Sequence, residues 1–212
     1  MTRFWQLVWN DNSAKLLLAS NLLILILALL QNWNVLTVIW GFWLQSIIIG
    51  FFGLLQILFI GLKTNQKTKI ALTGKKDIIV SYLILAGLFT LAYGTIHLVY
   101  AAYFGIIAVT HTSTVPNWVN VALIGTVFFF NHAFSFWIHV IKNPKSLKKD
   151  LGKVGLTPFK RVLPLHFIII FGSFALVAGA QGEQMLLIGF MVIKTLADLR
   201  MHISRHHKMD FA

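Results

Sequence analysis

The sequence contains no cysteine, and this absence excludes several kinds of site. Without thiols the chain cannot form disulfides, thiolate metal sites, iron–sulfur clusters or covalently attached c-type haem. Any metal that this protein binds must therefore be held by nitrogen and oxygen ligands.

Charged residues are also scarce. They make up 11% of the 212 residues, whereas soluble domains carry about 25%. The hydrophobic fraction is 58% and the mean hydropathy is +0.78. Most of the surface must then face something other than water, which predicts an all-α, polytopic membrane protein.

Six segments have, or nearly have, the length and apolarity of membrane-spanning helices, which need about 20 apolar residues; the last is short and carries Lys194 and Asp198. The sequence therefore predicts a bundle of about six spans. We expect residues 1–15 to form an amphipathic segment at the membrane interface, residues 16–204 the six-span domain, and residues 205–212 a cytoplasmic tail. The predicted spans are 16–31, 35–62, 78–107, 119–141, 162–180 and 185–199.

The net charge of +12 comes from basic residues placed between the apolar segments. They occur near both ends of the chain and in the second and fourth connections, while the other three connections contain no Lys or Arg. The positive-inside rule then places both termini in the cytoplasm of a multi-pass protein of the cell membrane. Membrane lipids are the expected partners, and the basic loops account for the charge without nucleic acid.

Four ionisable side chains in the predicted spans fall at a similar depth, in the cytoplasmic half of the membrane. They are His132, His166, Asp198 and His202, placed by the helical rise of about 1.5 Å per residue. Ionisable groups inside spans are costly and usually functional. The four residues predict a divalent-metal site, with zinc as the first choice and iron or copper as alternatives.

Other polar residues add to this site or offer a different interpretation. Lys194, Asp198 and His202 form one polar stripe on the last span, so Asp198 could pair with Lys194 in a purely structural network. His132 and His139 are seven residues apart and are predicted to share a helix face. Further candidates for polar or catalytic roles are His97, Tyr93, Lys194, Ser46 and His139.

Several short segments together suggest a known family. They are Trp-Leu-Gln-Ser at 43–46, Gly-Leu-Phe-Thr at 87–90, Asn-His-Ala-Phe-Ser-Phe at 131–136, Pro-Phe-Lys-Arg at 158–161 leading to His166, and Lys-Thr-Leu-Ala-Asp-Leu-Arg at 194–200 followed by His202. The chain resembles a family of prokaryotic integral membrane proteins known only as a domain of unknown function, number six-four-nine-eight. The likeness covers most of the chain after the first span.

The resemblance implies histidines on either side of the Gly-Leu-Phe-Thr segment. This chain has Leu85 and Tyr93 at those places, and His97 lies one turn beyond Tyr93 on the same face. Leucine cannot bind a metal, whereas His97 could substitute for one of the missing histidines. The family name implies no reaction.

Three functions remain open from the sequence. The first is a metal-dependent hydrolase acting on lipid-like substrates, with His132, His166 and His202 as ligands and Asp198 as a fourth ligand or a base. The alternative is an accessory or structural subunit, as a homodimer or in a larger membrane complex. A b-type haem protein with His132 and His166 as axial ligands is less favoured, because a site that includes a carboxylate suits a small ion better.

Overall fold

The computed structural model describes residues 3–63, 75–110, 115–142, 156, 158–160 and 183–206. Within these residues the regular structure is entirely helical. The helices are α1 (Arg3–Asn10), α2 (Asn12–Leu30), α3 (Val35–Lys63), α4 (Lys75–Thr110), α5 (Trp118–Phe136) with a π-helical continuation (Trp137–Lys142), and α6 (Glu183–His206).

Four of these helices are long and apolar enough to cross a membrane. They cover Asn12–Leu30, Val35–Gly61, Ile79–Ile107 and Trp118–Lys142. The prediction of an all-helical protein with membrane-spanning character is confirmed to that extent. The predicted fifth span lies outside the described residues. The predicted sixth falls within α6, which is helical but carries Lys194, Asp198 and Arg200 and is not among the four.

Two of the connections that contain no Lys or Arg meet at one end of the bundle. The Asn34 side chain accepts a hydrogen bond from the Thr37 amide at 2.8 Å and donates one to the Val115 carbonyl at 2.9 Å. The Asn117 amide donates to Thr37 Oγ1 at 2.8 Å. The start of α3 is thereby tied to the start of α5, and the opposite end of the bundle carries the start of α2.

Helix α3 lies between α4 and α5, and glycines allow the close approach. A side chain at Gly41 would collide with Ile124 of α5, and a side chain at Gly125 would collide with Leu44 of α3. On the other side of α3, Gly50 accommodates the ring of Tyr93 from α4. Small residues at helix contacts are the usual way in which membrane helices gain packing area.

The Gly41 contact predicts a large effect of a small substitution. Gly41→Val should lower the free energy of unfolding in detergent by roughly 1–3 kcal/mol, because the added atoms meet the stiff, β-branched Ile124. Gly87→Val is the matched control, since a Cβ at Gly87 meets nothing within 4 Å among the described residues. Denaturant unfolding of both variants measures the difference, and equal stabilities would contradict this packing.

Candidate metal centre

Three metal-binding side chains from distant parts of the chain meet at the end of the bundle where α2 begins. They are Asp11, His139 and His202, and one ligand atom from each lies within 4.8 Å of the others. In the part of the chain that the structure describes, this is the one group of three or more such residues. Asp11 comes from the α1–α2 junction, His139 from the π-helix and His202 from α6.

Asp11 is held in place because it is the N-cap residue of α2. Its Oδ1 accepts hydrogen bonds from the backbone amides of Ser13 at 2.8 Å and Ala14 at 3.2 Å. Aspartate is among the preferred N-cap residues for this reason. Capping leaves Oδ2 directed at His202, whose Nε2 lies 3.3 Å away.

His139 reaches the cluster from the π-helix that continues α5. A π turn holds more residues than an α turn and so changes the direction of the side chains that follow it. His139 Nε2 lies 3.8 Å from Asp11 Oδ1. His132, one helical segment earlier, is buried beside Phe52 of α3, with ring centroids 6.5 Å apart. The two histidines therefore contact different parts of the bundle.

The hydroxyl of Ser13 lies among the three ligands. Its Oγ is 2.8 Å from each of Asp11 Oδ1, His139 Nε2 and His202 Nε2. A hydroxyl has one proton to donate and two lone pairs, and an ionised carboxylate only accepts. The proton therefore goes to Asp11, and both imidazoles donate from Nε2. This arrangement gives the Ser13 hydroxyl and the Nε2–H group of each histidine a hydrogen-bond partner.

The cluster is largely shielded from solvent. Asp11 is 7% exposed and His202 3%, while the His139 side chain is 18% exposed. Burial alone would raise the pKa of Asp11. The hydrogen bonds from His139, His202 and Ser13, together with the charge on His202, outweigh it and hold the pKa of this carboxyl well below its ordinary value of 3.8. Asp11 is therefore ionised, as a metal ligand must be.

Two imidazole nitrogens and one carboxylate oxygen suit zinc well. Zinc–nitrogen and zinc–oxygen bonds are about 2.0–2.2 Å long, so ligand atoms within 4.8 Å of one another are close enough to share an ion once the Ser13 hydroxyl moves out from between them. The Nε2 protons must leave those nitrogens for a metal to bind. Metal binding therefore requires each imidazole to be neutral with its proton on Nδ1.

Asp198 belongs to a second, separate polar network. Its Oδ2 lies 2.9 Å from Lys194 Nζ and accepts a hydrogen bond from Gln45 Nε2 at 3.3 Å. Lys194 also donates to Asn21 Oδ1 at 2.9 Å and to Gln45 Oε1. All four residues are buried. The sequence offered this pairing as the alternative role for Asp198.

A third network joins α3 and α4 through Ser46, Tyr93 and His97. His97 Nδ1 donates to the Tyr93 carbonyl at 2.8 Å, so its Nε2 accepts from Ser46 Oγ at 3.0 Å. The Tyr93 hydroxyl donates to the Ser46 carbonyl at 2.8 Å. These hydrogen bonds join the middle of α3 to α4. Ser46 also lies near the middle of the Val35–Gly61 segment, which is long and apolar enough to cross a membrane.

The predicted ligands are thus distributed over different places. His202 lies in the Asp11 cluster, Asp198 pairs with Lys194, His132 packs beside Phe52, and His166 lies outside the described residues. His139 was predicted as an additional polar residue and joins the cluster. Asp11 and Ser13 were not predicted, although an aspartate just before a long apolar helix is a recognisable N-cap signal.

Comparison with known proteins gives the family but no activity. Residues 9–211 match a family of unknown function, DUF6498, and the chain belongs to it. The family resemblance seen in the sequence is thereby confirmed. No curated protein and no solved structure matches the chain.

The environment of Asp11 predicts a pH-dependent stability. Asp11→Asn keeps a good N-cap but removes the charge, so it should lower the free energy of unfolding at pH 7 by roughly 1–3 kcal/mol. Because the folded-state pKa is depressed, the wild-type advantage should be complete above the ordinary pKa of 3.8 and should shrink as the pH falls below it. Denaturant unfolding of both proteins between about pH 3 and pH 7 measures the difference in their free energies of unfolding. A difference independent of pH would contradict it.

Proposed function

We propose that this member of the family is a multi-pass membrane protein that binds a divalent transition metal, zinc first, through Asp11, His139 and His202. The observation that carries the proposal is the meeting of three ligand side chains, distant in sequence, around the Ser13 hydroxyl. Packing of the helices against one another does not require a buried carboxylate and two imidazoles at one place. Buried ionisable groups in membrane proteins usually mark functional sites.

We further propose that α6 crosses the membrane although it carries charge. Its inward side holds Lys194, Asp198 and His202, all buried. The residues that it exposes over most of its length are apolar, namely Met185, Ile188, Val192, Ile193 and Leu196. A polar interior and an apolar exterior are what a helix shows when lipid surrounds it. With a further span in 162–180, the chain has six spans and both termini on one side.

The location of the metal centre follows from this topology. The cluster lies at the end of the bundle where α2 begins and α5 ends, and Lys15, Lys142 and Arg200 lie within four residues of its members in sequence. By the positive-inside rule this end faces the cytoplasm. The proposed centre therefore lies at the depth of the lipid headgroups of the cytoplasmic leaflet.

Hydrolysis of a bond in an amphiphile is the reaction class that this site supports best. Three protein ligands leave a coordination position for substrate or water, as in catalytic zinc sites, whereas structural sites use four. A zinc ion there would supply Lewis acidity at neutral pH. The Ser13 hydroxyl contacts all three ligand side chains and so holds them together before a metal binds.

Metal content tests the binding proposal. The purified protein should contain close to one equivalent of zinc after loading and buffer exchange, and His139→Ala with His202→Ala should lose it. The loss of affinity should exceed the roughly 10–100-fold effect of changing groups that merely support ligands. His97→Asn is the matched control, because it also removes a hydrogen-bonded imidazole inside the bundle.

Either of two results would contradict metal binding. One is a wild-type protein that takes up no zinc, iron or copper on reconstitution. The other is equal metal content in the double variant and in the His97→Asn control. Elemental analysis of folded, monodisperse samples distinguishes these cases.

The hydrolase proposal makes a separate prediction. Mixed micelles that contain ester, amide or phosphoester amphiphiles should be cleaved by the zinc-loaded protein, with the activity stopped by a chelator and restored by zinc. The variant that lacks His139 and His202 should be inactive, and His97→Asn should retain activity. A zinc-binding protein that cleaves none of these substrate classes would leave metal binding in place and overturn the hydrolase assignment.

A further inference from the structure

Two polar contacts join α2 and α6 along their length. Ser13 of α2 contacts His202 of α6, and Asn21 of α2 contacts Lys194 of α6. Asn21 lies eight residues after Ser13, and Lys194 lies eight residues before His202. Eight residues correspond to about 12 Å of helix. The two antiparallel helices are thus joined at two levels with matched spacing, and the metal ligand His202 lies at one of them.

The Lys194 level has the more extensive set of contacts. The ammonium group contacts oxygens of Asn21, Gln45 and Asp198, and it lies 4.6 Å from the ring centroid of Phe42 and 4.3 Å from that of Phe128. Gln45 bridges the pair, because its amide nitrogen donates to Asp198 while its oxygen accepts from Lys194. One side chain of α6 is therefore held by α2, α3 and α5 together.

Apolar contacts alone would not fix the position of α6. In a bilayer the lipid chains are as apolar as leucine side chains, so apolar helix faces gain little from one register over another. A slip of α6 by one turn, about 5.4 Å, would leave apolar surface facing apolar surface. It would also take Lys194 away from Asn21 and Gln45 and would leave an ammonium group without these partners in a lipid-like interior, which is costly.

We infer that Lys194, Asp198 and Gln45 are positioning residues that set the axial register of α6 and thereby bring His202 to Asp11 and Ser13. Lys194 and Asp198 lie about two turns and one turn before His202 on α6. Buried polar groups that select one register of apolar helices are known from coiled coils. The effect on metal binding rests on the proposed function, whereas the effect on register does not.

The first half of the experiment measures zinc affinity by competition with a chelator. Asp198→Asn and Gln45→Leu should each weaken zinc binding by roughly 10–100-fold, the usual effect of losing a supporting contact. Thr195→Val is the matched control, since Thr195 Oγ1 bonds only the Met191 carbonyl of its own helix among the contacts shown. It should change the affinity by less than about threefold. Gln45→Leu changes no charge and provides a second variant if Asp198→Asn folds poorly.

The second half measures the register directly by disulfide crosslinking. Because the protein has no native cysteine, only the introduced pair can form a disulfide within the chain. Leu17→Cys with Leu199→Cys reports the native register, because Leu17 lies midway between Ser13 and Asn21, Leu199 lies close to the midpoint between Lys194 and His202, and both are buried. Leu17→Cys with Thr195→Cys, or with Ile203→Cys, reports a slip of one turn in either direction. In the Asp198→Asn and Gln45→Leu backgrounds, the native disulfide should fall several-fold and a slipped one should rise.

Only a joint change supports the inference. Weaker zinc binding with unchanged crosslinks would overturn it, as would a shifted register with unchanged zinc affinity. If the wild-type protein binds no zinc, the proposed metal centre fails. The crosslinks alone then decide the register, where a shift supports the positioning role and no shift overturns it.

Discussion

Polar groups buried in this bundle have to find partners within the protein, because lipid offers no hydrogen bonds. That constraint organises the contacts between the helices. Asp11 meets two histidines and a serine, Lys194 meets a carboxylate and two amides, and His97 meets a serine and a tyrosine. Each of these networks joins at least two helices, so the polar residues determine where otherwise interchangeable apolar surfaces lie.

Helix α3 shows how closely such networks can be placed. Gln45 and Ser46 are consecutive, yet Gln45 contacts Asp198 and Lys194 of α6 while Ser46 contacts His97 and Tyr93 of α4. Successive helical residues point about 100° apart, which is why neighbours in sequence serve different helices. The Ser46 network lies near the middle of α3, whereas the Asp11 cluster lies at the end of the bundle. The Asp11 cluster holds three metal-binding side chains, and the proposed topology places it near the lipid headgroups.

The helices could be predicted from sequence much better than the cluster. Apolar length locates the membrane-spanning helices, and the meeting of the 31–34 and 115–117 connections follows from counting spans. The i, i+4 spacing also indicated that Asp198 and His202 share one side of the last helix, and both are buried there. Counting residues along the helices could predict neither the direction in which a side chain points nor which other side chain pairs with a predicted ligand. The π turn directs His139 away from the helix face that carries His132. Asp198 forms a salt bridge with Lys194 and does not join the cluster.

Asp11 shows the same limit of prediction from sequence. Its N-cap role is local and visible in the sequence, but its second oxygen becomes useful only because α6 delivers His202 to it from 191 residues away. The proposed metal centre thus combines a local motif with two long-range contacts. Its function depends on the register of α6, which apolar patterning leaves undetermined.

X-ray absorption spectroscopy at the zinc edge of the loaded protein tests the central claim most directly, because it reports which atoms hold the metal. The proposed centre predicts a low-coordinate zinc with two imidazoles and the remaining ligands oxygen, at about 2.0–2.2 Å. A spectrum with six oxygen ligands and no imidazole scattering would describe zinc held loosely outside the cluster. That result would contradict a metal centre built from Asp11, His139 and His202.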